Sequence, residues 1–406
     1  VSKVALVRCD SYDEETVCAA VARGLTLLGG PQAFFKPGER IVLKPNILGA
    51  AAVQHRVTTD PAVFAAVARA IGEAGVKLSY GDSPAIGPCA WSARAAGIEA
   101  AAQRLGVPLA DFDNGRNVQY TQARMNATFP IANGILDADG VVSIPKLKTH
   151  NLTRMTGAMK NQYGCIPGMK KAQFHARFLL PQDFSEFVAD VTGFVRPRLY
   201  VMDAVIAMEG NGPNTGDPKK LGLLMLSADP VAMDTVACAV MDIDPLFVPT
   251  NTAGERAGLG TCRLENIECV GDPLSDFIDR GFNIIRKPPL GLTGTGIRRV
   301  VKDMVAPRPV IDTRRCTRCG RCVDICPVEP KAVQWTTAGK QRPPRHDYGR
   351  CIRCFCCQEA CPSRAITVKT PLPGRFVPYA AGAVLQAATW KSRVVRRLRL
   401  KKGNNG

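Results

Sequence analysis

Cys316-Thr317-Arg318-Cys319-Gly320-Arg321-Cys322-Val323-Asp324-Ile325-Cys326-Pro327 and Cys351-Ile352-Arg353-Cys354-Phe355-Cys356-Cys357-Gln358-Glu359-Ala360-Cys361-Pro362 share one spacing, C-x2-C-x2-C-x3-C-P. Two-residue gaps let a tight loop present three thiolates to three corners of an iron–sulfur cubane. The proline stops the chain from continuing as helix and turns the fourth cysteine away from its own run. A structural zinc site needs four ligands, usually from two separated C-x2-C pairs, and the triple run is surplus to that. Disulfide frameworks belong to short secreted chains. This chain has 406 residues and opens on Val4-Ala5-Leu6-Val7, too short an apolar stretch for a signal-peptide core.

A run of this kind holds a [4Fe–4S] cluster, and two runs hold two clusters whose fourth ligands cross over. The first cluster is then expected on Cys316, Cys319, Cys322 and Cys361, and the second on Cys351, Cys354, Cys357 and Cys326. Residues 308–372 resemble the two-cluster bacterial ferredoxin family.

Outward from these runs, the length suggests two or three domains, and a hydrophobic fraction of 46% fits a globular protein. No apolar run approaches the roughly 18–20 residues that span a bilayer. Cys9, Cys18, Cys89, Cys165, Cys238, Cys262, Cys269 and Cys356 add no further C-x2-C pair. They read as buried small hydrophobes of a reducing cytosol, with Cys356 a bystander inside the second run. The expected location is therefore cytoplasmic.

The formal charge is +18, yet no nucleic-acid motif accompanies it, so nucleic acid is not the expected partner. Part of the excess, Arg314, Arg315, Arg318, Arg321, Arg350, Arg353 and Arg364, surrounds the cluster cysteines. Such arginines would stabilise reduced anionic clusters and steer acidic redox partners of ferredoxin or flavodoxin type, the plain alternative being a solvated basic surface. After Glu359 there is no acidic residue. Lys391, Arg393, Arg396, Arg397, Arg399, Lys401 and Lys402 stand beside Trp390, Val394, Val395 and Leu398. This tail reads either as a helix resting on anionic lipid or a partner, giving peripheral membrane contact, or as a frayed end.

The first ~270 residues alternate strand and helix patterns. Strands are expected at 4–8, 41–44, 76–80, 140–144, 199–202 and 221–227. Helices are expected at 14–28, 61–74, 93–105 and 230–241, with Asp60 and Asp229 as N-caps. Strands separated by helices predict an α/β fold with a largely parallel sheet flanked by helices, plus a small α+β ferredoxin-like domain. The expected division is 1–275 for the α/β domain, 276–307 for a linker with a short basic helix at 298–304, 308–372 for the ferredoxin domain, and 373–406 for a basic tail.

Ligands of parallel α/β sheets bind beyond the carboxyl ends of the strands, and five polar segments fall there. They are Lys44-Pro45-Asn46, Thr58-Thr59-Asp60-Pro61, Asp82-Ser83, residues 145–150 running on to Lys160, Asn161, Pro167-Gly168 and His175, and Asp203 with 209–213. The fourth holds two of the four histidines and Lys146, Lys148, Lys160, Lys170 and Lys171. Lysines suit a carboxylate or phosphate, and histidine moves protons near neutral pH. The expected catalytic residues are His150, His175 and Lys160. The expected substrate-binding residues are Lys44, Asn46, Lys146, Lys148, Asn161, Glu209 and Asn211.

These segments resemble the domain of unknown function 362 family, over about residues 1–275, whose members are often fused to a two-cluster ferredoxin. That likeness implies the architecture rather than an activity. A fainter similarity links His150, Lys160 and Pro167-Gly168 to the nickel-pincer site of the lactate racemase family. The Pro-Gly here lies farther from the lysine, and that family lacks a ferredoxin module. There is no G-x-x-x-x-G-K-[ST] loop, no G-x-G-x-x-G after a strand and no G-x-S-x-G elbow. Flavin sites often lack a short signature, so a flavin stays open.

Three functions compete. The first is a redox enzyme, an oxidoreductase, that relays electrons from two clusters to a small anionic substrate or organic cofactor. The second is a ferredoxin-like carrier or docking protein without chemistry of its own. The third is a non-redox proton-transfer enzyme of racemase or isomerase type.

Overall fold

The computed structural model describes residues 1–168, 170–289, 297–336 and 338–375. The basic cluster read as a lipid-facing helix, Lys391 to Lys402, lies outside the described residues.

In the α/β part, strands run at β1 Ser2–Arg8, β2 Arg40–Pro45, β3 Lys77–Tyr80, β4 Gly115–Gln119, β5 Thr128–Ala132, β6 Gly140–Ile144, β7 Lys146–His150, β8 Arg154–Thr156, β9 Leu199–Glu209, β10 Asp217–Ser227 and β11 Ile267–Gly271. β4 and β5 form a separate hairpin, and the other nine make one sheet in the order β11-β1-β10-β9-β6-β2-β3, with β7 beside β9 and β8 beside β7. The pairs β1–β11, β2–β3, β2–β6, β6–β9 and β7–β9 are parallel. β10 runs antiparallel to both β1 and β9. The sheet is thus mostly parallel, as expected.

Alternate residues show why the strands read as unbroken apolar runs. Ala5 and Val7 enter one core cluster, whereas Val4 and Leu6 enter another on the opposite face. Leu224 and Leu226 part from Leu223 and Met225 in the same way. A sheet covered on both faces needs apolar residues at every position.

Local signals mostly placed the helices. Asp60 Oδ1 accepts from Ala62 N at 3.0 Å, and Asp229 Oδ1 accepts from Val231 N and Ala232 N, so both expected N-caps start their helices. The single helix expected at 93–105 is instead two, Cys89–Ala95 and Ile98–Arg104. Gly97 separates them at φ +72°, a conformation that glycine adopts without cost. The stretch read as a linker begins inside the α/β core, where Phe277 and Phe282 are buried. The short basic helix spans Ile297–Val305.

The C-terminal module pairs β12 Arg308–Ile311 with β15 Ile366–Lys369, and β13 Val333–Gln334 with β14 Arg345–His346. Its two cysteine runs repeat each other in backbone as well as in spacing. Arg318 and Arg353 both lie at positive φ, 59° and 62°, and so do Gly320 and Phe355, at 85° and 64°. A short helix follows each, Arg321–Asp324 and Cys356–Glu359. A phenylalanine at positive φ is strained, and burial of its ring in the aromatic core of the α/β domain offsets that strain.

Candidate functional site

The cysteine module is built first by its thiols. A void of about 320 Å³ is walled by Cys316, Cys319, Cys322 and Cys361, so the fourth thiol comes from the other run. Burial, then the charges of Cys361, Cys316 and Cys319, push the Cys322 thiol up to about 12. Burial also pushes Cys357 up, with Cys354, Cys351, Cys322 and Cys326 beside it. The first void thus brings one thiol of the second run beside three of the first. Among the described residues no three metal-ligating side chains converge as ligands of one ion do. Soft thiolates spread around a void fit an iron–sulfur cluster, whose iron would lower the thiol pKa values that burial raises.

The second feature is a cleft of about 580 Å³, mouth included, between this module and the α/β domain. The α/β side contributes Asn46, Asp82, Ser83, Lys160, Asn161, Tyr163, Lys171 and His175. The module contributes Ile325, Cys356 and Glu359, and Leu48, Ala85 and Ala172 add apolar wall. Lys160 Nζ lies 4.8 Å from the centroid of the Tyr163 ring and 5.3 Å from that of Phe184. Burial pushes its pKa down. Lys171 Nζ donates to Ser83 Oγ at 2.5 Å and to Ile166 O at 2.9 Å. Its pKa falls to about 7, because burial and the charges of Lys44 and Lys160 outweigh Asp82 and Cys165.

Glu359 lies near both histidines. His150 Nδ1 accepts from Leu152 N at 3.1 Å, which leaves the ring proton on Nε2. That nitrogen is 3.1 Å from Glu359 Oε1, without the alignment of a full hydrogen bond. Burial opposes the Glu359 carboxylate, but the His150 ring and the Lys160 ammonium outweigh it and hold the group at about 2. His175 stacks on Phe184 at 4.3 Å, and its buried Nδ1 has no hydrogen-bond partner. Burial lowers His150 and takes His175 down to about 3. Both imidazoles are neutral near pH 7, so the proton-donor role expected of them conflicts with their burial.

Of the residues expected to bind substrate, Asn46 and Asn161 line the cleft and the three lysines lie behind it. Lys44 Nζ is paired with Asp82 at 2.7 Å, and Lys146 Nζ with Asp203 at 2.8 Å, all four side chains being buried. Asp203 also accepts from Tyr12 Oη at 2.8 Å and from Asp60 N at 3.0 Å. Lys148 Nζ donates to Asn46 Oδ1 and Val57 O, both at 2.7 Å. Asn46 Nδ2 in turn donates to Asn161 Oδ1 at 3.2 Å. These groups orient the cleft wall rather than face its interior.

Glu209 and Asn211 are elsewhere. Glu209 Oε2 accepts from Asn283 N at 2.8 Å, and Asn211 Oδ1 accepts from Val368 N of the module at 2.7 Å. Their loop is a clasp. Gln358 Nε2 donates to Asn211 O and Thr215 Oγ1, each at 2.8 Å, and Asn214 Nδ2 donates to Cys361 O at 2.9 Å. Arg364 donates to Asn214 O and Gly216 O. The sequence reading missed Glu359, Gln358 and the place of Cys356 on the cleft wall. The polar pair Gln358-Glu359 inside a cluster run was the available signal.

The comparisons agree with this architecture. Residues 41–239 match the family described as Domain of unknown function (DUF362), and residues 308–362 match a 4Fe-4S dicluster domain. A thylakoid-associated protein of Synechocystis sp. is 37% identical over 266 residues, which is 65% of this chain and 82% of that protein. An α/β domain joined to a cysteine module of this kind defines an iron–sulfur protein. The chain belongs to the DUF362 family. Among solved structures, the lactate racemase apoprotein from Thermoanaerobacterium thermosaccharolyticum gives a TM-score of 0.40 at 11% identity, over 59% of this chain and 57% of that one. A Thermotoga maritima protein gives 0.34 at 13%, over 63% and 61%. The chain spans less than two thirds of either, and neither likeness bears on activity.

Two outcomes follow from this geometry. Asp203→Ala strands the buried Lys146 ammonium and is expected to cost about 3–5 kcal/mol, read as a lowered urea midpoint under anaerobic conditions. Cys356→Ser is expected to keep the iron content of the wild type, and Cys357→Ser to lose about half of it. Equal iron loss in the two variants would make Cys356 a ligand.

Proposed function

We propose that this protein is a redox enzyme in which two [4Fe–4S] clusters deliver electrons to a small anionic molecule held in the cleft. Cys316, Cys319, Cys322 and Cys361 hold one cluster, and Cys351, Cys354, Cys357 and Cys326 the other. One observation carries the reading. Cys356 and Glu359 flank the ligand Cys357 on a single turn of helix, and both line the cleft that contains Lys160 and His175. When bound, the clusters supply single electrons.

The remaining work falls to side chains. Lys160 has no salt bridge among the described residues and sits over two aromatic rings, a desolvated cation ready for a carboxylate or phosphate oxygen. His175, neutral and with an unpaired Nδ1, hydrogen-bonds the ligand and fixes its orientation. Lys171, rather than a histidine, supplies the proton that accompanies reduction, because a donor works best with a pKa near the operating pH. His150 acts from behind by holding Glu359. Leu48, Ala85, Ala172 and Ile325 keep water from the ligand.

Electrons enter at the other end. Cys319 is exposed, and exposed Arg314, Arg315 and Arg318 surround it, which suits an acidic carrier of ferredoxin or flavodoxin type. We place the reaction in a reducing compartment, cytoplasmic and against a membrane surface, in keeping with the name of the thylakoid-associated relative.

The test is to purify the protein anaerobically, denature it and identify released small molecules by mass spectrometry. Wild type is expected to yield a small anion, and Lys160→Met to yield none while keeping its iron. If no anion accompanies the wild type, and none speeds reoxidation of the dithionite-reduced protein, the enzyme reading is wrong. The pH dependence has a definite sign. Lys171 is charged below about 7 and neutral above it, so retention of the anion should weaken as pH rises through 7. Lys171→Met should flatten that dependence.

A further inference from the structure

We propose that the face formed by helix Ile297–Val305 and the short helix Leu372–Arg375 docks onto an anionic lipid surface. Among the described residues no helix is long and apolar enough to cross a membrane, so the contact is peripheral. In its second half the longer helix is arranged inside out. Lys302 and Asp303 point into the protein: Lys302 Nζ donates to Cys351 O at 3.0 Å, and Asp303 Oδ1 accepts from Arg353 Nη2 at 2.8 Å. Arg353 itself is buried. Val300 and Met304, four residues apart and so on one side of the helix, are 57% and 52% exposed. Leu372, on the neighbouring helix, is 66% exposed. That helix closes tightly on the first, since a side chain at Gly374 would strike the Val305 carbonyl.

A surface helix ordinarily turns its apolar stripe inward and its charges outward. Here Lys302 and Asp303 are bonded inward, and Val300 and Met304 have been left outside. Clustered exposed aliphatics of this kind mark a contact surface. Charge decides what it meets. From Ala360 to the last residue the chain has no Asp or Glu and ten Lys or Arg. The stretch that follows in sequence, residues 376–390, contains no charged residue, and seven Lys or Arg follow within residues 391–402. Apolar surface on a chain that goes on to carry concentrated positive charge matches the acyl boundary and phosphate layer of an anionic bilayer. None of Val300, Met304 and Leu372 lines the cleft, so the proposal stands apart from what the cleft binds.

The experiment is vesicle co-sedimentation of the full-length holoprotein. Wild type is expected to pellet with vesicles of phosphatidylcholine mixed with phosphatidylglycerol, and to stay in solution with phosphatidylcholine alone. V300E/M304E is expected to bind the mixed vesicles at least about tenfold more weakly, with iron content and visible spectrum unchanged. V300S/M304S, milder for the helix, should fall between the two. Equal binding by wild type and both variants overturns the proposal. So does wild type that ignores phosphatidylglycerol while V300E/M304E exposes the residues after 375 to protease, which would show that this face is covered by the chain's own tail.

Discussion

The clasp between Gln358-Glu359 and the α/β domain is the contact on which the site depends. Gln358 spends its amide on Asn211 O, Gly212 O and Thr215 Oγ1, and accepts from Asn151. These bonds seat one turn of helix against the loop after β9. Once seated, Glu359 faces His150 and Cys356 faces the cleft. Without that turn the cleft loses a wall, and the cysteine module loses its fixed position relative to Lys160 and His175. A few satisfied buried hydrogen bonds thereby settle the geometry of a whole boundary.

The electrostatics of the cleft follow from a shortage of counter-ions. Lys44 and Lys146 have carboxylate partners at hydrogen-bond distance. Among the described residues Lys148, Lys160 and Lys171 do not, and burial together with mutual repulsion lowers the pKa of each. Desolvated ammonium groups without a paired carboxylate favour an incoming anion and bind a proton with it. Glu359 supplies the compensating charge from the module side, which ties the polarity of the cleft to the docking of the iron–sulfur domain.

Much of this was legible in the sequence because local rules governed it. Cysteine spacing gave the dicluster module, Asp60 and Asp229 gave helix starts, and strands separated by helices gave a mostly parallel sheet. What was missed depended on contacts between residues far apart in the chain. Glu209 and Asn211 carry polar groups of the kind a ligand loop uses, yet they hold Asn283 and Val368 instead. The proton role expected of His150 and His175 rested on the ordinary titration range of histidine, and burial lowers both. Gly97 was taken for a helix interior residue because periodicity continues across it, although its positive φ ends the helix.

The two cysteine runs share a backbone, so their differences show how duplication was put to use. Arg321, Val323 and Asp324 in the first run correspond to Cys356, Gln358 and Glu359 in the second. In the first, Arg321 lies over the Trp91 ring at 4.7 Å and Cys319 is exposed. In the second, Cys356 and Gln358 are buried, and Cys356 and Glu359 line the cleft against the α/β domain. Clusters held by these runs would differ in surroundings, one at solvent and one against a desolvated site, and burial and solvent exposure are among the factors that set cluster potential. The asymmetry gives the proposed electron path an entrance and an exit without any change in the ligands themselves.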